Sequence, residues 1–238
     1  MKFNVSSKEL FAQLQAASRV IAAKNSLQIL ECVLFELKEN QLTLTASDGE
    51  TTLRTSMLVD SAQGEGKVAV AAKILLETLK EFSEQPLTFH IDDQNFGLNI
   101  TSANGTYSFV GANGNEYPEM PVEVGENGFN IAAAVLLDAI NKTIFCTVMN
   151  GIYFDLNEER ITLVATDAHR LVRYTNDGVK GVQAVSFILP KKPAQLLRQV
   201  LKGTDNVSVN FGAKNATFAF GQTVVVCRQI EGRFPNYN

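Results

Sequence analysis

Past its midpoint the chain places a carboxylate, an imidazole and a guanidinium within four residues: Asp167, His169 and Arg170, inside Ala165-Thr166-Asp167-Ala168-His169-Arg170-Leu171. Those are the parts of acid–base chemistry. For hydrolysis, His169 would have to orient a nucleophile. The sequence contains neither G-x-S-x-G nor G-x-x-x-x-G-K-[ST] to supply one or to cradle a phosphate. Gly64-Glu65-Gly66-Lys67-Val68-Ala69 mimics a dinucleotide fingerprint, but it precedes a strand pattern where the fingerprint follows one. The two histidines, His90 and His169, lack the spacing of zinc ligands. Cys32, Cys146 and Cys227 are far apart, odd in number and set among apolar neighbours, which predicts buried free thiols in a reducing compartment. The expectation is a protein with no catalytic residues, no metal and no cofactor of its own. For His169 and Arg170 a hydrogen-bonded strand end stands open beside a binding role.

The other chemistry-bearing set is cationic. A predicted helix near Pro193 to Leu201 carries Lys191, Lys192, Arg198 and Lys202 on or beside it and no acidic residue. The first predicted helix adds Lys8, Arg19 and Lys24 against Glu9, the second carries Lys73 and Lys80 against Glu77, Glu81 and Glu84, and the third Lys142 with Asp138. The four helices together are positive in a chain whose net charge is −4. Lysine and arginine are ordinary on solvated helix faces. Four without an acidic partner suit contact with phosphates and no reading of bases. No interleaving of aromatic with basic residues suggests base stacking. A scaffold that binds only proteins is the rival, and the basic fourth helix argues against it.

The elements that position these residues repeat. Phe3-Asn4-Val5 is echoed by Phe129-Asn130-Ile131, Leu42-Thr43-Leu44-Thr45-Ala46-Ser47-Asp48 by Ile161 to Asp167, Lys73 by Lys192, and Tyr117-Pro118 by Phe234-Pro235. Two domains, 1–121 and 122–238, follow. Each divides into two strand–helix–strand–strand–strand units. A helix from Lys8 to Ala22, with Ser7 as its N-cap, shows one apolar stripe of Leu10, Phe11, Leu14, Ala17 and Ile21. The second helix, after Lys73, shows Leu75, Leu76, Leu79 and Phe82, and a third runs near Ala133 to Phe145. Strands alternate with period two, as in Leu42, Leu44, Ala46 and in Phe96, Leu98, Ile100. The fold class is α+β, with helices on one side of sheets. The start Met1-Lys2-Phe3 enters a strand directly, and no apolar run matches a signal peptide or membrane span. The expectation is a cytoplasmic protein with no membrane contact.

Three further motifs join these: Ile188-Leu189-Pro190-Lys191-Lys192, Glu231-Gly232-Arg233-Phe234-Pro235-Asn236-Tyr237, and Ile29-Leu30 with Leu53. Together with Met1-Lys2-Phe3 and the Ala165 to Leu171 run, in order along the whole chain, they resemble the bacterial DNA polymerase III beta subunit family, the sliding clamps. The resemblance implies the DNA-clamp fold: three similar domains per subunit, two subunits head to tail in a ring, helices lining the hole and sheets outside. The implied partners are double-stranded DNA, a replicative DNA polymerase, a clamp loader and other proteins that insert a short hydrophobic peptide between the second and third domains. Carried over by motif, this chain's share of that pocket is Met149, Thr166, His169, Arg170 and Leu171. Lys24 matches a DNA-facing position. With the helix cations it makes the expected DNA-facing set Lys24, Lys73, Lys142, Lys191, Lys192, Arg198 and Lys202. Phe82 and Tyr107 match positions that meet a neighbouring subunit.

The chain departs from the family pattern in three places. It stops at Asn238, where a third domain is expected, so it reads as a truncated clamp, monomeric or weakly associating. About seven residues are absent near Thr147-Val148, by the change of offset between the halves. Gln28 stands where the family usually has proline, and Ala168 where it often has glycine.

Overall fold

A computed structural model describes residues 1–122, 127–147, 151–181 and 183–237. It separates into two compact units, Met1–Met120 and Pro121–Asn238. In the first, alternating strands and one-sided helices fall into two modules of the same order. One is β1 (Lys2–Ser6), α1 (Ser7–Ser18), β2 (Cys32–Lys38), β3 (Gln41–Ser47) and β4 (Thr51–Leu58), followed by the short β5 (Ser61–Gln63). The other is β6 (Gly66–Ala71), α2 (Ala72–Lys80), β7 (Pro86–Ile91), β8 (Gly97–Ser102) and β9 (Gly105–Val110), followed by β10 (Ala112–Asn113). The second unit repeats the plan. It has β11 (Asn127–Ala132), α3 (Ala133–Thr143), β12 (Ile152–Leu156), β13 (Ile161–Thr166) and β14 (Leu171–Asn176), then β15 (Val185–Leu189), α4 (Lys191–Val200), β16 (Asn206–Phe211), β17 (Asn215–Phe220) and β18 (Thr223–Arg228).

The modules are not closed. Each lends its first strand to the sheet of its partner module. In the first unit β1 pairs with β7, placing Phe3 opposite Phe89, and β6 pairs with β2, placing Val70 opposite Val33. In the second, β11 pairs with β16 and β15 with β12. The first unit's strands therefore run β5-β1-β7-β8-β9 and β10-β6-β2-β3-β4; the second unit's run β14-β13-β12-β15 and β18-β17-β16-β11. All these pairings are antiparallel, which suits sheets with helices over one face only.

The cores sit under the helices. In the first unit Phe3 stacks on Phe89 with ring centroids 4.8 Å apart, and Phe35 lies 6.3 Å from Phe89. Leu10, Leu14 and Ala17 of α1 and Leu75 and Leu79 of α2 are buried against them. In the second, Phe187 stacks on Phe154 and meets Phe211, each at 4.6 Å. Leu136, Ala139 and Ile140 of α3, with Ala194, Leu196 and Leu197 of α4, complete that core. Each buried leucine contributes roughly 2 kcal/mol of apolar transfer.

Several sequence expectations need correction. The first helix ends at Ser18, four residues short of Ala22. There the backbone tightens to i−3 bonds, Val20 N–H to Ala17 O and Ile21 N–H to Ser18 O. Its N-cap is Ser6, whose hydroxyl accepts from Glu9 N–H, while Ser7 donates its hydroxyl to Ser83 O and accepts from Gln85 N–H. Phe96 lies before its strand, in a left-handed turn at φ 57°, and so leaves the face of Leu98 and Ile100. The third α-helix stops at Thr143, whose hydroxyl bonds back to Ala139 O at 2.8 Å, and the chain continues as a 3-10 turn, Ile144–Cys146. The fourth begins at Lys191, two residues before Pro193.

Candidate nucleic-acid interface and partner site

The expected DNA-facing residues of the second unit, Lys142, Lys191, Lys192, Arg198 and Lys202, lie on or just beyond one helix pair. Helix α4 starts after Pro190, and Pro193 is tolerated because a first-turn amide has no partner within the helix. Pro193, Ala194, Leu196 and Leu197 are buried, so Lys191, Lys192, Gln195, Arg198 and Gln199 are turned to solvent. Lys191 and Lys192 occupy the positive end of the helix dipole, where a cation is disfavoured and an anion is attracted. Alongside, a groove of about 610 Å³ is lined by Leu137 and Asn141 of α3 and by Gln195, Arg198, Gln199 and Lys202. Asn141 Oδ1 accepts from Arg198 Nε at 2.6 Å, joining the two helices. The sequence reading missed Asn141, Gln195 and Gln199. The i, i+3, i+4, i+7 spacing of Gln195, Arg198, Gln199 and Lys202 was the available signal.

Lys142 has a different setting. Its ammonium pairs with Asp138 one turn earlier at 2.7 Å and lies 5.4 Å from the Tyr174 ring centroid. The hydrogen bond it donates to Asp138 raises its pKa. In the first unit Lys24 is exposed in the bend after α1. Lys73 of α2 lines a groove of about 410 Å³ together with Ile21, Ala22, Ala72 and Leu76 and with the polar Ser18 and Glu31. That groove is largely apolar, unlike its counterpart beside α4.

Thr166, His169, Arg170 and Leu171 form the turn between β13 and β14; Met149 lies outside the described residues. The turn is built around Asp167. Its Oδ1 accepts from His169 N–H at 3.1 Å and Arg170 N–H at 2.7 Å, and its Oδ2 accepts from Arg170 Nε and Nη2 at 3.1 and 2.8 Å. The Thr166 hydroxyl donates to Arg170 O and accepts from Ala168 N–H. The Arg170 guanidinium, then the backbone amides, hold the Asp167 carboxyl down at about 2. A carboxylate so occupied is a brace for the turn. His169 is exposed, and Leu171 is 46% exposed at the strand start.

The first unit has the same turn. Asp48 Oδ1 accepts from Glu50 and Thr51 N–H at 2.9 and 2.7 Å, and the Ser47 hydroxyl donates to Thr51 O and accepts from Gly49 N–H. Phe82 and Tyr107 come together there from distant segments, edge to face at 5.1 Å. Tyr107 lies on β9, the outermost strand of its sheet.

Cys146 and Cys227 are buried, Cys32 is half-buried, and all three are free thiols. Burial pushes the Cys227 thiol up to about 12. Among the described residues no group of three or more His, Cys, Asp or Glu side chains is placed to hold a metal ion. Among the same residues no helix is long and apolar enough to cross a membrane.

Residues 1–121 match the family model of the DNA polymerase III beta subunit N-terminal domain, and residues 130–236 match that of its central domain. The chain belongs to the DNA polymerase III beta subunit family. The beta sliding clamp of Haemophilus influenzae is 28% identical over 248 residues, covering 100% of this chain and 67% of that protein. That of Halalkalibacterium halodurans is 24% identical over 250 residues, covering 97% and 66%. The chain thus spans about two thirds of the length of the curated relatives it matches. Among solved structures, the DNA polymerase III beta subunit of Pseudomonas aeruginosa superposes with a TM-score of 0.94 at 24% identity, covering 100% of this chain and 67% of that one. The subunit from Thermotoga maritima gives 0.88 at 22%, covering 99% and 66%. The α+β fold of this family member is therefore that of the sliding clamps.

Proposed function

We propose that the chain supplies two domains, 1–121 and 122–238, of a ring that surrounds duplex DNA without reading its sequence and tethers a replicative polymerase. The observation that carries this is the outward face of α4: Lys191, Lys192, Arg198 and Lys202 are exposed with no acidic residue on the helix, in a chain of net charge −4. Lys24 and Lys73 extend the DNA-facing set in the first unit. Lys142 contributes less, because Asp138 already offsets its charge. Weak contacts spread over phosphates let the duplex slide, while closure of the ring holds it and raises the local concentration of a tethered polymerase. Thr166, His169, Arg170 and Leu171 form one wall of a site for a partner's hydrophobic peptide, to which the family resemblance also assigns Met149, outside the described residues. Phe82 and Tyr107, beside the open edge of β9, meet a neighbouring subunit.

Salt tests the DNA reading. With about four phosphate contacts, raising salt from about 50 to 200 mM weakens duplex binding roughly a hundredfold, equally for any sequence. Salt-insensitive binding, or strong preference for one sequence, sinks it. For the partner wall, titration of a fluorescent clamp-binding peptide gives an affinity at least about tenfold weaker for Leu171→Asp, since an exposed apolar anchor is lost.

A further inference from the structure

We propose that the groove between α3 and α4 is a preorganised seat for one backbone phosphate of duplex DNA, with Asn141 as the residue that positions Arg198. The proposal rests on the duplex-binding reading above and adds where the strongest single contact lies. A surface arginine normally holds many rotamers and loses that freedom on binding. Here the Arg198 Nε is tied to Asn141 Oδ1 at 2.6 Å, fixing the plane of the guanidinium over the groove. Its terminal N–H groups remain as a fork, and among the described residues no carboxylate pairs with Arg198. Such a fork matches two phosphate oxygens. Lys202 and the amides of Gln195 and Gln199 line the same groove, supplying a second charge and neutral donors. Among the described residues no acidic residue lines it. The other cations are set differently: Lys142 is bound to Asp138, and Lys73 borders an apolar groove.

The test is fluorescence anisotropy of the 238-residue chain with a labelled mixed-sequence duplex of about 20 base pairs, over a range of sodium chloride. Arg198→Lys keeps the charge and loses the fork, so affinity falls about fivefold while the slope of log K against log salt is unchanged. Asn141→Ala does the same by about threefold. Asn141→Asp neutralises the arginine, and the slope falls by about one. Lys214→Ala, on an exposed turn, binds as the parent does. Arg198→Lys and Asn141→Ala binding like the parent would overturn the seat while leaving general duplex binding intact. A parent chain with no salt-dependent duplex binding overturns both. Inorganic phosphate at a few millimolar displacing the duplex at matched ionic strength would make the groove a free-phosphate site and reject the proposal. Unfolding curves of the variants coincident with the parent assign the losses to binding; were Asn141→Ala destabilised, Arg198→Lys alone decides.

Discussion

The turns at Ser47–Thr51 and Thr166–Arg170 are one scaffold carrying two chemistries. In both, an aspartate Oδ1 gathers two backbone amides and a hydroxyl one residue earlier closes the loop. They are secured differently. The first is bolted from behind: Tyr117 Oη accepts from Ser47 N–H at 3.0 Å and donates to Cys32 O at 3.1 Å. The second is braced from within by Arg170 on Asp167. The aromatic that stands where Tyr117 does, Phe234, stacks on Tyr153 at 4.8 Å and packs on Val164 and Ile188. Duplicated backbone thus kept its hydrogen-bond skeleton, while the second copy gained an exposed imidazole, a fixed guanidinium and an exposed leucine.

Removing the supporting aromatic should be felt most. Phe234→Ala leaves a void beneath β13 and lowers unfolding free energy in urea by about 3 kcal/mol; a loss under about 1 kcal/mol means the stack does not support the turn. Tyr117→Phe deletes two hydrogen bonds and strands a buried amide, a loss of about 2 kcal/mol. Burial also holds the Tyr117 phenol up at about 12 against its ordinary 10.0. Its contribution is complete below pH 10 and lost as pH rises through 12, and the phenylalanine variant lacks that alkaline decline.

A smaller effect tests the shared left-handed corner. Gly49 has φ +90° with nothing within 4 Å of an added Cβ, and Ala168 holds φ 71°. Gly49→Ala destabilises by about 1 kcal/mol through backbone strain alone, and Ala168→Gly restores a similar or smaller amount. If the exchange is neutral in both units, the corners are not equivalent. The smallest change is in acid. Asp167 is held below its ordinary 3.8, so it adds stability above that pH and loses it as pH falls towards about 2. In Asp167→Asn the stability curve flattens across that window, and an unchanged acid limb would rule out the brace.

Much of this was legible along the chain. Repeated strings such as Leu42 to Asp48 and Ile161 to Asp167 announce duplicated modules, and the apolar stripe of Leu10, Leu14 and Ala17 marks a helix that buries one face. The partner of each strand was not legible, because period-two alternation shows which face is buried and never which neighbour supplies the hydrogen bonds. The use of Asp167 was hidden for a similar reason. Residue types suggested acid–base work, while the turn geometry spends both carboxylate oxygens on amides and a guanidinium. The positive φ of Ala168 carries no signal in alanine itself, and only the glycine at the matching position, Gly49, hints at it. The Asp138–Lys142 pair was in plain view as an i, i+4 spacing.

The loan of first strands between modules also sets a timetable for synthesis. The segment starting at Met1 can meet only the three-residue β5 until the stretch holding Phe89 leaves the ribosome, on the order of ten seconds after it at ordinary elongation rates. Until then the nascent amino terminus carries a β-ribbon whose β7-side edge is open and whose Phe3 lacks Phe89, the kind of segment that invites chaperone capture. A half-unit released early by a stop codon between β5 and β7 would leave that edge of β1 open permanently.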